Sequence, residues 1–139
     1  MYQRILVPVD GSEHSLHAIR NAVKLAQHEE NCELTLLHVN PPISINEVAI
    51  GVDLIALQEE EGRKILADAE QLLADKSFNY KTEYVTGDPA QLICKKAAEE
   101  NTDLIVMGSR GISFFSELFI GSVSHKVVQH APCTVMIVK

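Results

Sequence analysis

Short, wholly apolar runs alternate along this chain with longer segments in which apolar residues recur every three or four positions. Arg4-Ile5-Leu6-Val7-Pro8-Val9 is a continuous run halted by Asp10-Gly11-Ser12, which predicts a buried strand and a turn. Ser12 is placed to cap a helix whose inner face carries Leu16, Ile19, Val23 and Ala26. Residues 34–39 (Leu-Thr-Leu-Leu-His-Val) form a second strand, stopped by Asn40-Pro41-Pro42, and a loop runs to about residue 50. A long helix is expected from roughly residue 53 to 75, with Ile55, Ile65, Leu66, Ala69, Leu72 and Leu73 facing inward. Residues 81–86 alternate charged and apolar side chains, the mark of a strand at a sheet edge. Asp88-Pro89-Ala90-Gln91 combines an acidic cap, proline at the first helical position and Gln three residues on, and this helix is expected to end near Asn101. Residues 103–107 and 134–138 supply the last two strands. Five strands alternating with four helices predict an α/β protein, an open parallel sheet with helices packed on it.

Length confines this pattern to one domain: 139 residues suffice for a self-supporting core and leave no room for a second. With 46% hydrophobic and 22% charged residues, the composition excludes disordered and low-complexity classes. No apolar run approaches the roughly 20 residues of a membrane span, and the amino-terminal residues lead straight into a strand pattern instead of a signal peptide. A cytoplasmic protein is the expectation. Twelve basic against 19 acidic residues give a net charge of −7, which argues against nucleic acid and anionic membranes as partners. A small anion in a local pocket is not excluded by that field. Cys32, Cys94 and Cys133 are odd in number and far apart, as reduced packing residues are, with Cys133 beside a helix end the one candidate for a reactive thiol.

The chemistry-bearing stretch is Gly108-Ser109-Arg110-Gly111, nine residues, then Gly121-Ser122-Val123-Ser124, lying between a buried strand and a helix. Glycines let backbone N–H groups approach an anion, the helix N-terminus carries partial positive charge, and Ser122 and Ser124 add hydroxyls. Arg110 supplies a guanidinium suited to phosphate oxygens. Taken singly, each glycine equally serves to shape a loop and Ser122 to cap a helix; the conjunction points to a phosphate cradle, because ligands of open α/β sheets bind beyond the strands' carboxyl ends. Pro8, Val9, Asp10, Val39 and Met107 collect at those same ends. Asp10 suits ribose hydroxyls or a divalent cation, and Val9, Val39 and Met107 an apolar slot for a flat base; as a turn residue and as core, they also have ordinary readings. No Walker-type G-x-x-x-x-G-K-[ST], G-x-G-x-x-G after the first strand, H-E-x-x-H or G-x-S-x-G is present. The six histidines are dispersed, and His38 alone overlooks the predicted strand ends.

The pattern Gly108-x-x-Gly111-x9-Gly121-Ser122, preceded by Leu-Ile-Val-Met and followed by His130-Ala131-Pro132-Cys133-x-Val135, resembles the ATP-binding branch of the universal stress protein family. The first strand and turn, residues 4–12, are similar to that family's as well, so the resemblance spans the chain. It implies a Rossmann-like sheet of order 3-2-1-4-5. It further implies Pro8, Val9, Asp10, Val39 and Met107 around adenine and ribose, and Gly108, Arg110, Gly111, Gly121, Ser122, Val123 and Ser124 along the phosphates of ATP, with Mg²⁺ or Mn²⁺ held mainly by those phosphates. The family commonly forms homodimers through its last strand, and the apolar edge strand at residues 134–138 independently suits such pairing. The function implied is stress sensing or signalling by an ATP-binding dimer. Two other classes stand beside it: a slow ATP hydrolase or phosphotransferase, for which Asp10 is the one candidate base, and a nucleotide-free interaction module using Phe114, Phe115 and Phe119. The departure from the family pattern is residues 112–117, with two aromatics and an acid where many relatives have glycine and basic residues.

Overall fold

In the computed structural model, which describes residues 1–43, 53–110 and 121–139, the chain alternates strands and helices as β1 (Arg4–Pro8), α1 (Glu13–Ala26), β2 (Glu33–Asn40), α2 (Leu54–Glu70) with a 3₁₀ turn at Gln71–Leu73, β3 (Asn79–Thr86), α3 (Pro89–Glu99), β4 (Leu104–Gly108), α4 (Ser122–His130) and β5 (Thr134–Val138). The five strands form one parallel sheet in the order β3-β2-β1-β4-β5. Both terminal strands of that order are the ones with polar or half-exposed patterns, whereas Leu104–Gly108, flanked by β1 and β5, is buried throughout. On β3 the alternating charges pair outward: the Lys81 ammonium contacts Glu33, Glu83 and Glu100, and Lys96 contacts Glu83. Such partly exposed pairs add little stability and keep the edge charged, which discourages further strand pairing.

Strand side chains alternate between two cores. Ile5, Val7, Leu34, Leu36, Leu104 and Val106 pack with the inner faces of α1 and α2, while Leu6, Leu37, Ile105 and Met107 pack with Ala90, Ile93 and Ala97 of α3 and Val127 of α4. Residues that point to opposite faces one after another must be apolar at every position when both faces are covered, which is why these strands read as unbroken apolar runs. Cys32 belongs to the first core, and half-buried Cys94 and Cys133 pack against the second. Burial pushes all three thiols above their ordinary pKa, so the thiolate that a reactive Cys133 requires is disfavoured.

Helix starts follow the expected caps. Ser12 Oγ accepts from Ser15 N at 3.2 Å, and Asp88 Oδ2 accepts from Gln91 N at 3.0 Å with proline at the first position of α3. α3 ends at Glu99, just before Asn101 adopts a left-handed φ of 52°. The long helix begins at Leu54 with Asp53 as its cap, and its regular part ends at Glu70. Leu66, Ala69 and Leu73 are buried as expected, but Ile55 is 53% exposed and is not part of the inner face. It shares that face's angular position, yet the first turns of α2 stand beside the chain leaving β2, where Gln58 Nε2 donates to Pro41 O at 2.8 Å, and burial starts only at Gly62.

At Gly62 the helix comes down onto β2 and β3. A Cβ there would lie 2.6 Å from Tyr84 Cε2 and 3.0 Å from His38 Cδ2. Gly62→Val should therefore lift α2 from the sheet and lower stability by about 1–3 kcal/mol in urea unfolding; a variant as stable as the parent would show that the contact yields freely.

Candidate functional site

β1 and β4 are neighbours for only part of their length. They pair at Ile5↔Leu104 and Leu6↔Ile105, whereas β1 remains paired to β2 as far as Pro8↔Leu37. Val9 N continues toward β2 by donating to Leu37 O at 2.8 Å, so by strand alternation the nitrogen of Pro8 faces β4, on the side where pairing has ended. Proline loses nothing there, because no ladder bond awaits its missing N–H. The sheet opens at this point, and here the order of strands changes direction.

A cavity of about 440 Å³ occupies the opening. It is lined by Pro8, Val9, Asp10, Val39, Met107, Gly108, Arg110, Gly121, Ser122, Val123 and Ser124, which gathers eleven of the twelve residues expected at a site; Gly111 lies outside the described residues, as do Phe114, Phe115 and Phe119. The volume falls in the range of about 300–1,000 Å³ common for small-molecule sites. Sequence reasoning missed the wall that α2 contributes through Gln58, Glu61 and Ile65, and the α3 contribution of Pro89 and Ile93. The period of α2 would have found the first of these, since Gln58, Glu61 and Ile65 lie on one face at spacings of three and four. A second cavity of about 340 Å³, at residues 26–32 and 77–79, holds none of the expected residues.

At one side of the larger cavity, Gly121 starts α4 without any side-chain cap. The N–H groups of the first turn therefore carry the uncompensated positive end of the helix toward the cavity. That end is held in place from β4: Gly121 N donates to Ser109 O at 2.6 Å, Ser109 N donates to Val138 O at 2.7 Å, and Ser124 Oγ donates to Gly108 O at 2.8 Å. The Ser124 hydroxyl is thus a fastening between α4 and β4, with its proton engaged, while Ser122 is exposed. Gly108 has a packing duty beyond any approach to an anion. A Cβ on it would lie 2.7 Å from the Cβ and 2.8 Å from the backbone carbon of His14, so its missing side chain is what lets the start of α1 rest against β4.

Asp10 turns the chain between β1 and α1. Its Oδ1 accepts from Ser12 N at 2.9 Å, and Gly11 takes a φ of 84°, which L side chains rarely adopt. His38, suspected at the strand end, lines the cavity and is engaged at both ring nitrogens, with Nδ1 2.7 Å from Val9 O and Nε2 2.8 Å from Asn40 Oδ1. Val9 O can only accept, so Nδ1 of the neutral ring donates to it and Nε2 accepts, which the Asn40 amide satisfies with its NH₂ group turned toward the ring. No group of three or more His, Cys, Asp or Glu side chains suited to a metal occurs among the described residues, and no described helix is long and apolar enough to cross a membrane.

A parallel sheet of order 3-2-1-4-5 with a cavity at its switch point and a helix N-terminus facing it defines a Rossmann-like protein of the nucleotide-binding fold class. The model of the universal stress protein family matches residues 1–139, and the chain belongs to that family. It is 39% identical to universal stress protein YxiE of Bacillus subtilis, each chain covered completely. Among solved structures, universal stress protein UspA from Lactobacillus plantarum is 31% identical, with a TM-score of 0.87 over 99% of this chain and 98% of that one. A universal stress protein crystallised in complex with cAMP is 28% identical, with a TM-score of 0.73 over 99% of this chain and 97% of that one.

The close approach at Gly108 is directly testable. Gly108→Ala should lower stability by about 1–3 kcal/mol in urea unfolding, because the clash is with backbone atoms of α1; a loss below about 0.5 kcal/mol would show that α1 moves aside without penalty.

Proposed function

We propose that this protein binds ATP in the cavity between the ends of β1 and β4 and acts, as a homodimer paired through β5, as a stress-response sensor or signalling protein. The observation that carries the reading is the convergence at one opening of an apolar slot (Val9, Val39, Met107), an acid (Asp10), a cation (Arg110) and an uncapped helix N-terminus at Gly121. A flat base, a ribose and a chain of phosphates need those four environments in turn. The cAMP complex of a relative supports an adenine nucleotide as the ligand class. Mg²⁺ or Mn²⁺ would neutralise phosphate charge; Asp10 offers it a hard oxygen ligand, and the nucleotide's own oxygens would supply most of the rest. β5, half-exposed and at the end of the sheet order, is the edge available to a second copy.

Denaturing freshly purified protein and identifying any released small molecule by mass spectrometry, followed by titration of stripped protein with ATP, tests the reading. An adenine nucleotide released, or saturable ATP binding, is expected; no nucleotide and no binding at millimolar ATP would overturn it. Single-turnover ADP formation no faster than that of free ATP is the expected mark of a sensor, and faster turnover would make the protein an ATP hydrolase. Because the chain carries a charge of −7, removing divalent cations with a chelator should weaken ATP binding by about tenfold, measured by calorimetry; unchanged affinity would mean that protein groups alone balance the phosphates.

A further inference from the structure

Arg110 reaches the cavity in company with a histidine that no site motif includes. His14 stands on the first turn of α1, and its main chain is fixed by the contact under Gly108. Its Nε2 lies 3.2 Å from the Arg110 Nη2, and its Nδ1 lies 2.9 Å from Ser109 Oγ. A guanidinium has only donors, so Nε2 accepts from Arg110; the proton of the neutral ring is then on Nδ1 and is donated to Ser109 Oγ. Ser109 is itself buried, and its backbone is bonded on one side to Val138 of β5 and on the other to Gly121 at the start of α4. A continuous series of contacts thus runs from the strand that carries the glycine motif, through Ser109 and His14, to the guanidinium at the edge of the cavity.

We infer that His14 is a positioning residue for Arg110 and, through it, favours polyphosphate over monophosphate nucleotides at this site. The inference rests on the nucleotide-site reading above and adds to it the residue that prepares the cation. Arginine has many rotamers, and ordering one of them before the ligand arrives removes that entropic loss from binding. His14 is the right group for this because its ring nitrogens differ in role: one accepts from the guanidinium while the other is anchored to the strand end. An aliphatic side chain of similar size fills the space and holds nothing. The effect falls on phosphates beyond the first, which the held guanidinium at the cavity edge meets, and leaves the base and ribose contacts alone.

The experiment measures ATP and AMP affinity by calorimetry at fixed Mg²⁺ for the parent, His14→Leu, His14→Gln and Arg110→Gln, with thermal melts confirming that each is folded. His14→Leu should weaken ATP by about tenfold and change AMP by no more than about twofold. His14→Gln, which returns an acceptor near the Nε2 position, should recover ATP affinity to within about threefold of the parent. Arg110→Gln should reproduce the selective loss of ATP, and adding His14→Leu to it should change nothing more. Unchanged ATP affinity in His14→Leu, equal losses for ATP and AMP, failure of His14→Gln to recover, or a further loss in the double variant would each overturn the role of His14. Should His14→Leu not fold, His14→Ala, which removes the acceptor without filling the space, takes its place with and without Arg110→Gln: a selective loss of ATP that disappears in the Arg110→Gln background is expected, and no loss, or the same loss in both backgrounds, would overturn the role of His14. A parent that binds neither nucleotide overturns the site reading itself, an outcome recognisable before any variant is made.

Discussion

β1 and β4 share two paired positions and then separate, while β1 continues alongside β2 to Pro8. The separation follows from topology: helices α1 and α2 cover one face of the sheet, α3 and α4 the other, and the chain leaving β1 and the chain leaving β4 turn to opposite sides. Backbone groups beyond Leu6 and Ile105 cannot meet across the gap, and the side chains at the strand ends become walls. Pro8 fits this constraint, since its nitrogen faces the neighbour that is no longer paired. Pro8, Val9 and Asp10 on one side and Met107 and Gly108 on the other become cavity wall at this divergence, and α2 and the start of α4 close the space in.

Holding the divergence open requires contacts of fixed length on both sides. On one side, the backbone of α1 rests in the space Gly108 leaves; on the other, Ser109 O and Gly108 O take hydrogen bonds from Gly121 N and Ser124 Oγ and fasten the start of α4. The same few residues at the end of β4 therefore carry two helix N-termini. One is capped by Ser12, so its donors are engaged locally, whereas the other has glycine at the cap and directs its free donors at the cavity. That difference in capping gives the cavity one electropositive side in a protein of net charge −7. The local field of a helix end and a guanidinium suits a small anion despite that global charge.

Much of this was legible in the residues because both faces of the central strands are buried, which turns Ile5-Leu6-Val7 and Leu104-Ile105-Val106-Met107 into unmistakable apolar runs. Caps at Ser12 and Asp88 were equally plain, since the chemistry of a helix start is local. Ile55 misled because periodicity reports the angle of a residue around a helix and not how far along the helix the sheet extends. Gln58, Glu61 and Ile65 escaped notice for the related reason that their place at the cavity depends on where α2 crosses β2, a distance set by the close contact at Gly62. Gly108 illustrates a third limit: its spacing marked it as part of a phosphate motif, while the structure gives its missing side chain an additional use against His14. Long-range packing of that kind leaves no mark on neighbouring residues.

The central claim is that the opening between β1 and β4 is where an adenine nucleotide binds, and mapping backbone amide shifts of ¹⁵N-labelled protein during titration with Mg–ATP tests it most directly. The account predicts the largest changes at Asp10, Val39, Gly108 and Ser122 through Ser124, with residues 26–32 and 77–79 around the smaller cavity unaffected. Changes concentrated at that smaller cavity, or spread evenly over the surface, would contradict it.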